Sequence, residues 1–443
     1  MHVLMLGLSH VSTPVSIREQ ASMSLCSLPQ LLSDLLARPQ VLEGAILSTC
    51  NRTEVYAVVE TLEVGRQSLA KFLSSETGIS EATIEAHAVY LSGHEAMRHL
   101  FQVTAGLESL VLGEGQILSQ VKDAHAKALE SGAAGAILDR LFRAAVTAGK
   151  RARTETEIAR GAVSISSAAV ELAKQALGDL HGRSILLLGA GKMSKLAAKL
   201  FHGYGIARTI VSNRTFEAAE ELAKQVGGET IPWIDMAQSL SEADVVLCGT
   251  GAPHYVLELA DVAGRLRDRT RPLLLIDISV PRNLDPKLRQ IPCVTLFDID
   301  DLQTVADRNR SERAGVVDEV MAILDAEFAE FQQWIQNFRM TPMIASLRHR
   351  IDSLRELEVQ RFWGKHSDHF TPEQQALIED MTQALVNKIL HQPTAELKRM
   401  SPIQQDRNAS ALKELFGLKV ENLDEHYRRK IHERRNRQIS LKR

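Results

Sequence analysis

Residues 181–215 read HGRSILLLGAGKMSKLAAKLFHGYGIARTIVSNRT. An apolar run, Ile185 to Leu188, meets a glycine turn, then a helical pattern, then a second apolar run near 209–212. Strand, glycine turn, helix and strand in that order make the βαβ unit of a Rossmann-type fold. The turn is Gly189-Ala190-Gly191-Lys192-Met193-Ser194, GxGxxS rather than GxGxxG. Gly189 permits the tight bend. Gly191 lets the backbone approach a pyrophosphate, whose charge the helix N-terminus stabilises. Ser194 is small enough to keep helix and strand close. Where the second strand ends, an NAD site would carry Asp or Glu for the ribose 2′-hydroxyl. This chain has Ser212-Asn213-Arg214-Thr215, with no carboxylate and with a guanidinium suited to a 2′-phosphate. The expected cofactor is therefore NADPH.

Downstream, ADVVLCGT (243–250), LLLIDISVP (273–281) and CVTLFDID (293–300) read as further strands. Their alternation with helical patterns predicts a parallel sheet covered on both faces. Upstream, residues 1–155 mix strand patterns at 2–8, 43–49 and 53–60 with helical patterns near 28–37, 64–76, 94–104, 115–131 and 134–155. From about 308 the chain is nearly all helical. Val316, Val317, Val320, Ile323, Leu324, Phe328, Phe331, Trp334, Ile335 and Phe338 keep helical spacing, over roughly seven turns at 3.6 residues each. Pro342 breaks that pattern; a second helix covers 343–362, and Thr371-Pro372 opens a third, to about 390. So long an apolar stripe needs a partner, which predicts an elongated oligomerisation arm. The fold class is α/β plus α, divided into an α+β domain (1–158), a Rossmann domain (159–307), a helical domain (308–420) and a basic tail (421–443).

With 443 residues, 44% apolar and 24% charged, the composition is that of a globular protein. A net charge of −3 gives no global attraction to nucleic acid or an anionic membrane. Cys26, Cys50, Cys248 and Cys293 are widely spaced without a CxxC pair. That argues against a zinc site or disulfide framework and fits a reducing cytosol; no metal is expected. The apolar runs are short and broken by charge, so no membrane span or membrane partner is expected. HVLMLGLSH at the start reads as a strand, not a signal peptide. The expected location is cytoplasmic. Residues 428–443 carry eight Lys/Arg against one acidic residue and read as a solvated tail rather than an RNA contact.

The stretch LSTCNR (47–52) places Cys50 at a strand end between polar neighbours. By residue type alone a cysteine is more often plain core. A nicotinamide domain, however, supplies hydride, and a cysteine elsewhere could hold an acyl group as a thioester for that hydride to reduce. Thiolate is the nucleophile, and nearby positive charge favours it. Arg52 could supply that charge or bind a substrate carboxylate with its planar fork; the second use is preferred. A second polar segment, GLESLVLGEGQILSQVKDA (106–124), is punctuated by Gly106, Gly113 and Gly115 and suits a ligand loop. Gln116 and Gln120 would share one face of the following helix.

STCNRTE, GLESLVLGEGQILSQ, KRARTETEI, LLLGAGKM, SNRT and DISVPR, in this order and at these intervals, resemble the glutamyl-tRNA reductases, to about residue 417. One departure is Gly115, where the family often has proline. The resemblance implies a catalytic α+β domain, an NADPH domain, and a helical dimerisation domain on a long spinal helix, in a V-shaped homodimer. It implies Cys50 as nucleophile. Substrate contacts would come from Thr49, Cys50, Asn51, Arg52, Ser109, Glu114, Gly115, Gln116 and Gln120. His99 matches a histidine the family places near the thiol; its helical spacing alone fits a satisfied core histidine. The reaction implied is NADPH-dependent reduction of glutamyl-tRNA(Glu) to glutamate-1-semialdehyde, feeding 5-aminolevulinate and tetrapyrrole synthesis. The aldehyde is reactive, which favours handover to the aminomutase that consumes it. Two other classes fit some of the residues: an NADP-dependent acyl-thioester or aldehyde dehydrogenase on a small molecule, and a non-catalytic NADPH-binding adaptor. GLESLVLGEGQ opposes the first, and intact Cys50 and Arg52 oppose the second.

Overall fold

In strand β1 (His2–Ser9) the residues Val3 to Leu8 are all buried, so it must lie inside a sheet. It pairs antiparallel with β3 (Arg52–Val59) and β4 (Val89–Ser92); β3 also pairs antiparallel with β2 (Val41–Ser48), giving the order β2-β3-β1-β4. The computed structural model describes residues 1–23, 27–110, 112–159, 165–302, 314–418 and 427. Cys26 and, apart from Tyr427, the tail 421–443 lie outside them.

Helices α1 (Val15–Ala21), α2 (Leu28–Leu36), α3 (Leu62–Thr77), α4 (Glu81–His87), α5 (Gly93–Ala105), α6 (Gln116–Glu130) and α7 (Ala136–Glu155) complete this layer. Short α1, α4 and β4 were not foreseen; four to seven residues hold too little periodicity to read. Glu43 of β2 is fully buried, and its carboxylate accepts the N–H groups of Gly135 (2.7 Å), Ile137 (3.2 Å) and Leu138 (2.8 Å). A buried carboxyl group thereby satisfies the first orphan donors of α7.

After α8 (Ile165–Leu177) comes a six-stranded parallel sheet of β5 (Ser184–Leu188), β6 (Arg208–Ser212), β7 (Glu229–Thr230), β8 (Val245–Cys248), β9 (Leu273–Asp277) and β10 (Val294–Phe297). Its order, β10-β9-β8-β5-β6-β7, is the doubly wound one. Helices α9 (Lys192–Gly203), α10 (Phe216–Val226), α11 (Met236–Ser239) and α12 (Leu259–Val262) connect the strands.

The described chain forms two compact units, divided between Glu327 and Phe328. The second is helical. The long helix α13 runs Ala314–Arg339 and stops just before Pro342, as the spacing predicts. It is followed by α14 (Thr341–His366), α15 (Pro372–Arg399) and α16 (Pro402–Leu415). Thr371 caps α15 with a reciprocal box to Gln374. The expected end near 390 is corrected to Arg399, with Pro393 inside the helix. Leu390 and Leu397 are buried in one cluster with Met343 and Leu347, so packing outweighs the proline. The Thr394 hydroxyl also donates to the Leu390 carbonyl at 2.7 Å.

Candidate active site

Cys50 sits at the tip of the β2–β3 hairpin. Thr49 closes the turn: its N–H donates to the Arg52 carbonyl at 2.8 Å, and its hydroxyl accepts from the N–H of Asn51 (3.1 Å) and of Arg52 (3.2 Å). Asn51 is buried, and its Oδ1 has no partner among the described residues. Cys50 is half-buried and packs against the buried core of the Rossmann domain, as Ala190, Met193 and Val280 also do. The thiol therefore faces the nucleotide-binding layer.

Arg52 and Glu54 point from one face of β3, as residues two apart in a strand must. Both are buried, and Arg52 Nη1 meets Glu54 Oε1 at 2.8 Å. His99 Nε2 lies 3.0 Å from the same oxygen, and the Tyr56 hydroxyl donates to Glu54 Oε2 at 2.7 Å. Burial alone would raise the Glu54 carboxyl, but the Arg52 charge, the His99 and Tyr56 hydrogen bonds and the His99 charge together hold it down at about 2. Arg52 Nη2 also donates to the Glu108 carbonyl, fixing the 106–115 loop against the hairpin.

Burial first, and then the Glu114 carboxylate, push the Cys50 thiol up to about 12; Arg18 and Arg52 oppose this without prevailing. The desolvation of a thiolate costs more here than two partly engaged guanidinium groups return. Burial also raises the Glu114 carboxyl, with Arg52 pulling against it.

Ser109 is buried in the same loop. Gly113 has a φ of +80°, and a Cβ there would collide with the Ile158 carbonyl. Gly115 precedes α6 with φ −75°, a value that proline also adopts. Gln116 opens α6 exposed, with Nε2 2.8 Å from Met193 Sδ in the glycine turn; Gln120 follows one turn on, partly buried.

The nucleotide turn has the geometry its residues predict. Gly189 has φ +100°, and a Cβ there would sit 2.5 Å from the Gly249 carbonyl oxygen. Ser194 fills the third glycine position and donates to that oxygen at 3.3 Å. Gly189 N–H donates to the Ser212 carbonyl at 2.8 Å, and Ala190 N–H to Asn213 Oδ1 at 3.4 Å. Lys192 opens α9. An open cavity of about 320 Å³ is bounded by Asn213, Arg214, Thr215, Trp233, Thr250 and Tyr255, with Arg214 exposed. The lining is aromatic and cationic with no carboxylate, and the buried Ser212 hydroxyl beside it has no partner among the described residues. These residues fit a 2′-phosphorylated dinucleotide.

Residues 6–156 match the N-terminal domain of glutamyl-tRNA(Glu) reductase, residues 171–305 the shikimate/quinate 5-dehydrogenase family, and residues 319–418 the dimerisation domain of glutamyl-tRNA(Glu) reductase. The glutamyl-tRNA reductase of Syntrophotalea carbinolica is 41% identical over 94% of this chain and 95% of its own length. That of a Synechococcus strain is also 41% identical, over 94% and 97%. The chain belongs to the glutamyl-tRNA reductase family. The solved glutamyl-tRNA reductase from Methanopyrus kandleri is 31% identical over 94% of this chain and 98% of its own, with a TM-score of 0.49.

Three charged residues in and around the hairpin escaped the sequence reading. Glu54 was legible in principle from its spacing to Arg52. Arg18 and Glu19 of α1 were not. Arg18 is buried, donates through Nη1 to the Cys50 carbonyl at 3.3 Å, and pairs through Nη2 with Asp300, 282 residues away. Among the described residues no three His, Cys, Asp or Glu side chains group as a metal site, and no helix is long and apolar enough to cross a membrane.

Proposed function

We propose that this chain reduces glutamyl-tRNA(Glu) to glutamate-1-semialdehyde with NADPH, through a thioester on Cys50. This is the first committed step of tetrapyrrole synthesis. The observation that carries the reading is the position of Cys50: a lone thiol at a hairpin tip, against the edge of a dinucleotide-binding core.

Cys50 sulfur attacks the ester carbonyl; the bond to the tRNA ribose oxygen breaks, and the thiol proton ends on that oxygen. A thiol held up at about 12 needs its proton removed as it attacks. His99, oriented by Glu54 Oε1 at 3.0 Å, is the proposed carrier. Arg52, fixed by Glu54 and the Glu108 carbonyl, is proposed to read the substrate side-chain carboxylate. The buried Asn51 Oδ1 is offered to the glutamyl ammonium. Thr49, Ser109, Glu114, Gly115, Gln116 and Gln120 complete the proposed pocket. Bound NADPH supplies hydride to the thioester carbon. The tetrahedral adduct on Cys50 then collapses, its C–S bond breaking as the aldehyde C=O forms, and a proton from solvent restores the thiol.

Gly189 to Ser194 are proposed to cradle the pyrophosphate, and Ser212 to Thr215 the 2′-phosphate. The division into 1–158, 159–307, 308–420 and 421–443 belongs to the same proposal, as do homodimer formation through the helical domain, a cytoplasmic location and handover of the aldehyde to an aminomutase. Incubation with NADPH and aminoacylated tRNA tests it. Semialdehyde is expected from glutamyl-tRNA and little from glutaminyl-tRNA, whose amide would face guanidinium donors. Equal turnover of the two, or reduction of a free glutamyl ester at the rate of glutamyl-tRNA, contradicts it.

A further inference from the structure

Helix α1, VSIREQA, has side chains in two cores at once. Val15 is buried within the Rossmann cluster, whereas Ala21 is buried in the cluster beneath the antiparallel sheet, with Ile17 packed against it. Between them lie two consecutive charged residues whose partners, Arg282 and Asp300, lie in the segments that follow β9 and β10. Glu19 Oε1 accepts from the Arg282 main-chain N–H and from its Nε, each at 2.7 Å, and Oε2 accepts from Nη2 at 3.2 Å. Arg18 pairs with Asp300. These two bridges are opposite in sense, cation to anion and anion to cation, so they fix the orientation of α1 as well as its position.

The same helix holds the Cys50 hairpin. Arg18 Nε donates to the Thr13 carbonyl at 3.1 Å and Nη1 to the Cys50 carbonyl at 3.3 Å. The Thr53 hydroxyl donates to the Ala21 carbonyl at 3.0 Å, and the Met23 N–H to the Ser48 hydroxyl at 3.0 Å. The hydrogen bonds that join the hairpin to α1, and α1 to Arg282 and Asp300, thus run through the buried Arg18 guanidinium or along one turn of helix.

We propose that Arg18 and Glu19, with Asp300 and Arg282, form a clasp that registers the Cys50 thioester against the nicotinamide-binding layer. They are positioning residues for the hydride step. The proposal rests on the thioester reading above. Acyl transfer to Cys50 consumes only aminoacylated tRNA and thiol and needs no nicotinamide in place. Hydride transfer needs the thioester carbon within about 3–3.5 Å of the donor, and a 1 Å displacement costs about a hundredfold. A loosened clasp leaves the thioester waiting, and water then takes it: hydroxyl adds to the carbonyl carbon, the C–S bond breaks, the proton goes to sulfur, and glutamate is released instead of aldehyde.

The test uses full-length Asp300→Asn and Arg282→Gln. Three quantities are read: tRNA released without NADPH, the ratio of semialdehyde to glutamate with NADPH, and amide exchange over α1 without substrate or cofactor. tRNA release is expected within about twofold of the parent, the product ratio to fall about tenfold or more, and exchange over α1 to rise. Arg282→Lys, which keeps a cation and the main-chain N–H, should fall between. An unchanged ratio, or tRNA release and reduction falling by one common factor, overturns the clasp. Asp300 is about one-third exposed, so Asp300→Asn carries the test alone if Arg282→Gln does not fold. A parent protein that releases no tRNA overturns the thioester reading itself; a competent parent whose variants keep its product ratio overturns the clasp alone.

Discussion

At Cys50 two effects oppose each other. Arg18 and Arg52 favour the thiolate, while burial and Glu114 favour the thiol, and the balance leaves the group at about 12. Free thiolate is then a trace species near neutrality. Its population, and any reaction that uses it without an assisting base, should rise about tenfold per pH unit between about pH 6.5 and 8.5. Alkylation of Cys50 by iodoacetamide in the free protein, followed by peptide mass, measures this directly. A plateau in that range would mean that the resting thiol is already ionised. The lone thiol among polar neighbours was legible because its chemistry is local. Its ionisation was not, because burial is a property of packing: the apolar core that Cys50 packs against is drawn largely from residues 165–302.

Among the elements, the glycine turn was readable because strand, turn and helix are contiguous in sequence. At its far end Arg214 stands exposed at the cavity mouth with no carboxylate beside it. Arg214→Ala should remove most of the preference for NADPH over NADH, roughly tenfold to a hundredfold in kcat/KM, by losing a charge-assisted contact. Equal rates with both cofactors in the parent would contradict the 2′-phosphate assignment. Glu43 makes the opposite point. Nothing in VLEGAILS says that a glutamate inside a buried strand will cap a helix some 92 residues on. Glu43→Gln keeps one acceptor and turns an amide donor toward backbone N–H groups, so it should cost about 2–3 kcal/mol. A lower thermal midpoint reports it, and an unchanged midpoint would show that water serves those donors equally well. The end of α15 was misjudged for a related reason: a proline is visible in sequence, and the packing that carries a helix past it is not.

For the whole molecule, the helical unit leaves Leu377, Met381, Leu385 and Ile389 between 53% and 68% exposed at four-residue spacing along α15. A stripe of this kind is unfavourable in water, and because residues 319–418 match a dimerisation domain, a second copy is its expected cover. Sedimentation should therefore give two 49.0 kDa chains per particle. Leu385→Glu should shift the protein toward monomer at about micromolar concentration, since a buried unpaired carboxylate costs several kcal/mol. A parent that sediments as a monomer would remove the stripe from the interface. The helical stripe was legible from periodicity, whereas the role of α1 between two cores depends on pairings 263 and 282 residues apart, which no local pattern carries. The most direct test of the whole account is a chase. The protein is mixed with tRNA charged with labelled glutamate and no NADPH, quenched in acid, and digested. The label should sit on the peptide that contains Cys50 and leave as glutamate-1-semialdehyde when NADPH is added before the quench. Semialdehyde formed at the parent rate with no label on Cys50, or by Cys50→Ser, would contradict the thioester.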